Sequence, residues 1–350
     1  MPRRPSIALL LALVPLAPRA LDRPPPAAPD RPAVPGAAAG GAADEAPLGP
    51  CLEGLPPELP TRWLAATIEG REVRLAYADV APTGPANGRT VLLLHGKNFW
   101  GDAWAGVARA LAARGFRVVV PDQLGFGRSS KPDVHYSFEL LARNTRAILD
   151  DLGVGRVAVV GHSMGGMLAV RFALMFPERV ERLVLEDPIG LEDYRRDVPF
   201  LTVDEWERLQ LGLTGDALLR FYRAYGGSGA AALDRWPRLI WRQLLGPERA
   251  VVARASALTY DMIYTQPVVQ DLPRLAVPTL LVVGLADRTA VGKGLVSKEV
   301  AARLGDYPVL GKRAAAAIPG ARLVELEGVG HAPHLEAPDR FLAALLDFLG

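Results

Sequence analysis

The chain has 350 residues, with 40 Lys and Arg against 38 Asp and Glu and a formal net charge of +2. So even a balance excludes the basic footprint of a nucleic-acid binder and gives no sign of an acidic partner; the scattered arginines read as a solvated surface. The length suits one large domain with an insertion, and the single cysteine, Cys51, excludes an intrachain disulfide.

In chain order, residues 1–20 open with two arginines, continue with the apolar run 7–14 and end in small residues and prolines. That pattern predicts a secretory signal peptide, too short to span a membrane, and hence an exported chain, periplasmic or secreted. The alternative is a miscalled start codon and a cytoplasmic protein. Residues 21–50 are rich in Pro, Ala and Gly and are predicted to be a disordered linker. From there the chain alternates. Strands are predicted at 63–68 and 71–78 with a turn at Glu69-Gly70, then at 90–95, 117–120, 157–160, 183–187, 279–284 and 322–327. Helices are predicted at 102–114 (N-capped near Asp102, stopped by Gly115), at 136–152 (capped by Ser137), from Met164 to before Pro177, and at 335–349. Strand–helix alternation of this kind predicts an α/β fold, a mostly parallel sheet with helices on both faces. It breaks at 188–273, which carries helical patterns and three of the six tryptophans, Trp206, Trp236 and Trp241. This region is expected to be a helical cap over the C-terminal edge of the sheet, where open parallel sheets bind ligands. No phosphate-binding loop, dinucleotide fingerprint, cysteine pair or H-E-x-x-H is present, so no cofactor and no metal is expected.

Chemistry concentrates at Gly161-His162-Ser163-Met164-Gly165, between a buried β-branched run and a helical pattern. A serine on so sharp a turn needs glycines nearby, because Cβ atoms would collide. The helix behind it aims N–H groups at developing negative charge. The bland alternative is a Gly-rich turn with an incidental serine. A serine nucleophile needs a base and the base an orienting group. Of the five histidines, His331 in Gly328-Val-Gly-His331 is favoured over His334, which starts the last helix, and His162 flanks the serine. Asp287, just past a predicted strand, is favoured as the acid, with Glu186-Asp187 as rivals and an ordinary turn aspartate as the structural alternative.

The order Ser163, Asp287, His331, together with His95-Gly96, the loop Pro121-Asp-Gln-Leu-Gly-Phe-Gly-Arg-Ser-Ser-Lys-Pro132, Gly-His-Ser-Met-Gly-Gly166 and Gly330-His331, resembles the α/β-hydrolase superfamily from about residue 63 to the end. The resemblance implies an eight-stranded α/β-hydrolase domain over 51–350 and an oxyanion hole from the backbone N–H of Met164 and of Lys97, with Asn98 as the alternative donor. Relatives that dehalogenate or open epoxides carry aspartate at the elbow, and Ser163 argues against both. The Lys97 side chain is expected to point to solvent; the sharper alternative is that it attracts an anionic group of a substrate. Phe99, Trp100, Trp104, Met164, His162 and the aromatics of the insertion are candidates to line an apolar pocket, the alternative being that most are ordinary core. The function expected is cofactor-independent hydrolysis of a small or medium apolar ester, a small-molecule acyl substrate, through an acyl-enzyme. The alternatives are C–C bond or amide hydrolysis, acyl transfer with the same triad, or a non-catalytic ligand-binding protein on this fold. The sequence leaves substrate identity and oligomeric state open.

Overall fold

The structure, a computed structural model, describes residues 46–350. The predicted signal peptide and the linker up to residue 45 lie outside the described residues. Among these residues no helix is long and apolar enough to cross a membrane.

An eight-stranded sheet runs through the domain in the order β1-β2-β4-β3-β5-β6-β7-β8. Strands β1 (Thr61–Ile68) and β2 (Arg71–Val80) form an antiparallel hairpin at one edge, and β2 also pairs antiparallel with β4 (Arg117–Pro121). The remaining pairings, through β3 (Thr90–Leu94), β5 (Val157–His162), β6 (Val180–Glu186), β7 (Thr279–Gly284) and β8 (Arg322–Leu326), are parallel. Strands β5 and β7 are buried along their whole length, as continuous apolar runs covered on both faces must be. Helix α1 (Ala105–Ala113) packs on one face; α2 (Phe138–Asp151) and α3 (Met164–Met175) pack on the other.

Between β6 and β7 lie α4 (Val203–Leu211), α5 (Gly215–Tyr225), α6 (Arg235–Leu245) and α7 (Arg249–Thr265), flanked by short 3-10 turns, with no strand among them. This is the helical insertion expected at 188–273. After β7 come α8 (Lys298–Arg303) and α9 (Tyr307–Ala317), and after β8 the short α10 (Pro333–Glu336) and α11 (Pro338–Leu349).

Three expectations shift. Ser137 caps α2 as predicted, its Oγ accepting the Leu140 N–H at 3.0 Å, but Asp102 caps nothing. Its carboxylate is buried, accepting Trp100 Nε1–H at 3.1 Å and pairing with Arg128 at 3.1 Å; a tertiary cation outcompetes the local cap. The single C-terminal helix is two, divided at Ala337, because Pro338 disfavours helical backbone at the residue before it. Residues 46–50, assigned to the linker, lie on the cap instead. Leu48 is buried, its N–H donates to Arg242 O at 3.0 Å, and Pro50 O accepts from Gln243 at 2.9 Å. A composition average over thirty residues gives no weight to one leucine with a site to fill.

Candidate active site

The site is built at the C-terminal edge of β3, β5, β6 and β7. Ser163 stands between β5 and α3 with φ 56° and ψ −119°, a left-handed-side conformation that a non-glycine residue adopts only when its surroundings enforce it. Glycines allow the turn. A Cβ on Gly165 would strike the backbone carbonyl of Leu94, and one on Gly161 the carbonyl of Gly165. Gly96 has the same role from the other side: its Cβ would lie 2.9 Å from Ser163 Cβ. The loop after β3 therefore lies directly on the elbow.

The far end of the chain meets it. His331 Nε2 is 2.9 Å from Ser163 Oγ, and His331 Nδ1 is 2.6 Å from Asp287 Oδ2. Asp287 Oδ1 accepts the Thr289 N–H at 2.8 Å, which fixes the carboxylate plane. All three side chains are buried. The loop holding His331 is pinned by the cap, since the His331 N–H donates to Tyr225 O at 3.0 Å and a Cβ on Gly330 would strike that same carbonyl. Thus the serine, the histidine and the aspartate singled out from sequence are brought together, across 168 and 44 residues of chain.

The rival residues are placed elsewhere in the same core. His334 is stacked on Trp104 at 4.1 Å between ring centroids, with Nδ1 at 2.9 Å from Glu186 Oε1. Burial lowers its pKa to about 3 and raises that of Glu186 to about 7. Asp187 accepts the Gly284 N–H at 3.0 Å and adjoins Asp287. Burial, and then the Asp287 and Glu186 carboxylates, push its pKa well up. Burial and the neighbouring carboxylates thus disfavour ionisation of Asp187, which stands directly behind Asp287, a placement no local sequence signal announced.

His95 ends β3 as a structural clasp. Its Nδ1–H donates to Gly96 O at 2.9 Å and its Nε2 accepts the Gln123 N–H at 2.9 Å, which joins the loop after β3 to the loop after β4. Burial lowers its pKa to about 4, so the ring stays neutral as this pairing requires.

Two adjoining chambers lie under the cap, one of them at the serine. The one that includes Ser163 has a volume of about 270 Å³ and is lined by Lys97, Asn98, Trp206, Tyr225, Tyr260 and the 288–294 loop, among others. A second, of about 290 Å³, shares Asn98, Phe221 and Tyr260 with it. Phe99 and Trp100 line only the second. Their rings pack edge-on against Trp236, at 5.2 and 4.9 Å. His162 lines neither: its Nε2–H donates to His331 O at 2.8 Å and its ring is wedged below the site against Phe99 and His334. Its place in the pocket is therefore corrected. The reason is steric, since a side chain on the last strand residue before the elbow points away from the serine's side. Tyr225 and Tyr260, among the insertion aromatics offered for the pocket, do line it, whereas the 288–294 loop beyond β7 was not singled out, because nothing in its local sequence shows which way it folds.

Lys97 reverses its expectation. Rather than reaching solvent, it is 7% exposed. Its ammonium donates to Ser256 O at 3.2 Å, Ser256 Oγ at 2.9 Å and Thr259 Oγ1 at 3.2 Å, and lies 3.8 Å from the centre of the Tyr260 ring. Burial lowers its pKa from 10.5 to about 7. The native state then binds fewer protons than the unfolded chain between those values, so stability rises with pH across that window. Lys97→Met has no charge to desolvate. Its stability relative to wild type is expected to be highest at pH 7 and below, with the gap shrinking by about 1–4 kcal/mol toward pH 10. Urea midpoints of both proteins across that range test this, and a gap independent of pH would contradict it.

A parallel sheet, a strained serine on a strand–helix turn and a helical cap over that edge together define an alpha/beta hydrolase. A sequence model of the alpha/beta hydrolase fold matches residues 89–338, and the chain belongs to that family. The crystal structure of a probable hydrolytic enzyme from Pseudomonas aeruginosa PAO1 superposes with a TM-score of 0.85 at 48% identity, covering 87% of this chain and 99% of that one. An uncharacterized protein of Mycobacterium tuberculosis is 30% identical over 323 residues, 86% of this chain and 84% of its own. A 2-hydroxy-6-oxononadienedioate/2-hydroxy-6-oxononatrienedioate hydrolase of Paraburkholderia xenovorans is 30% identical over 286 residues, 79% of this chain and 91% of its own. Family and relatives alike support a hydrolase.

Proposed function

We propose that the chain is a serine hydrolase acting on esters of small or medium acids. One observation carries the reading, the unbroken line from Ser163 Oγ through the His331 ring to Asp287. In this scheme His331 Nε2 takes the Ser163 proton as Oγ bonds to the acyl carbon. Backbone N–H groups of Met164 and of Lys97, or of Asn98, hold the oxyanion; the loop after β3 lies close enough to the elbow to supply one. Collapse breaks the ester C–O bond, and His331 passes the proton to the departing alcohol. Water, deprotonated by the same imidazole, then attacks the acyl-enzyme and releases the acid while Oγ recovers its proton. Asp287 keeps Nδ1 protonated and stabilises the imidazolium.

The test is labelling with a fluorophosphonate followed by a panel of 4-nitrophenyl esters of graded chain length. The expected result is one adduct on Ser163 and turnover of short and medium acyl groups. An unlabelled, fully folded protein would remove the reading and favour a ligand-binding role on the same scaffold. A second reading, hydrolysis of a C–C bond beside a carbonyl, is favoured by the name of the Paraburkholderia relative. Loss of absorbance of a 2-hydroxy-6-oxo-dienoate faster than any ester is cleaved would select it.

A further inference from the structure

Among the described residues one cation besides Lys97 is fully buried, Arg128, and it has a carboxylate partner, whereas the half-buried Lys131 of the adjoining chamber donates to the carbonyls of Gly127 and Ser129. Arg128 is paired with Asp102 at 3.1 Å, and Arg117 with Asp79 at 2.8 Å. Lys97 is different. Every contact of its ammonium is a neutral oxygen or the face of an aromatic ring, Tyr260 at 3.8 Å and Phe126 at 5.8 Å, and burial alone perturbs it. Neither the chamber it shares with Ser163 nor the adjoining one has an Asp or Glu in its lining. Two further cations, Arg288 and Lys293, line the Ser163 chamber, but these are already engaged. Arg288 is 4.0 Å from Asp306, and Lys293 donates to Arg288 O and Leu304 O with Glu192 nearby. An ammonium taken out of water without a counter-charge is costly, and a leucine or methionine of like volume would fill the same space at no such cost.

We propose that the substrate carries an anionic group, in the simplest case a carboxylate, on the part that enters the Ser163 chamber, and that Lys97 receives it. This rests on the serine-hydrolase reading and narrows its substrate class. Lys97 directly follows Gly96, whose backbone lies on the elbow, so an anion held by its side chain is bound beside the reacting acyl group. The three oxygens now around the ammonium do not depend on it. Thr259 Oγ1–H donates to Ser256 O at 2.8 Å, and Ser256 Oγ–H to Gln210 Oε1 at 3.0 Å, so the ammonium can turn toward a ligand without stranding them. The competing explanation is a pin, Lys97 merely tying the loop after β3 to α7.

The experiment compares 4-nitrophenyl hemiadipate with 4-nitrophenyl hexanoate, which differ by a carboxylate in place of a methyl group. For wild type, kcat/KM is expected to favour the hemiadipate. In Lys97→Met the ratio of the two should fall by about 10- to 100-fold, mainly through KM, the worth of one charge-assisted contact. Lys97→Arg should retain part of the preference. A pin predicts equal losses on both esters, and an unchanged ratio or a wild-type preference for hexanoate overturns the proposal. A further arm needs no variant: adipate, but not adipamide, should slow fluorophosphonate labelling of wild type. If the serine is labelled and adipate gives no protection, the anion site falls while the hydrolase reading stands. If the serine is not labelled and neither ester is cleaved, both fall together.

Discussion

Ser163→Ala is expected to lower kcat on any ester the wild type cleaves by about 10⁴–10⁶-fold while leaving the fold intact. The size follows from the role. Without Oγ no acyl-enzyme forms, and what remains is water activated by His331 near the oxyanion donors. The fold should survive because the strained turn is enforced by its neighbours rather than by the hydroxyl. The Ser163 N–H donates to Glu186 O at 3.0 Å and its carbonyl accepts the Gly166 N–H at 2.9 Å, and alanine keeps both. Adding His331→Ala should cost little more, since base and nucleophile act as one unit and their losses do not add. Steady-state kinetics with a thermal melt on each protein is the measurement. A Ser163→Ala enzyme within tenfold of wild type would show that another nucleophile does the chemistry.

Asp287→Asn should cost about 10⁴-fold in kcat, far more than the loss of one hydrogen bond suggests. The reason lies in how its two oxygens are committed. Oδ1 accepts the Thr289 N–H at 2.8 Å and Oδ2 faces His331 Nδ1 at 2.6 Å. An asparagine amide must keep its oxygen toward Thr289, because an NH₂ group there would meet another donor. Its NH₂ then faces Nδ1, which can only accept. The imidazole proton is driven to Nε2, where it faces Ser163 Oγ and leaves no lone pair to take the serine proton. Activity should return partly as pH rises and hydroxide substitutes for the base. Recovery measured as log kcat against pH, with Asp287→Ala alongside, separates a wrong tautomer from a lost orientation. Equal profiles for the two variants would refute the tautomer argument.

Much of this site was legible because its signals are local. A β-branched run followed by Gly-x-Ser-x-Gly and then by helical spacing describes β5, the turn and α3 within twenty residues, and the backbone does what those residue types permit. Asp287 and His331 were reachable in the same way, each sitting just past a strand with turn residues around it. Errors arose where a side chain has a choice of long-range partners. Asp102 was read as a cap and found Arg128; His162 was read as a pocket wall and found the His331 carbonyl; Leu48 was read as linker and found the cap.

By itself, then, the amino-acid order determined the succession of strands and the helices between them up to the cap, though not α8 and α9, together with the position of the kinked serine and the residue types able to activate it, since hydrophobic period and turn chemistry act over a few residues. Tertiary structure alone decided that Asp187 is buried behind Asp287 with its ionisation disfavoured, that two adjoining chambers form under the cap, one of them at Ser163, and that Lys97 turns inward with no counter-charge. Those outcomes depend on which surfaces meet when α7 and the loop after β3 close on each other, and burial can assign a charge its environment only after that closure.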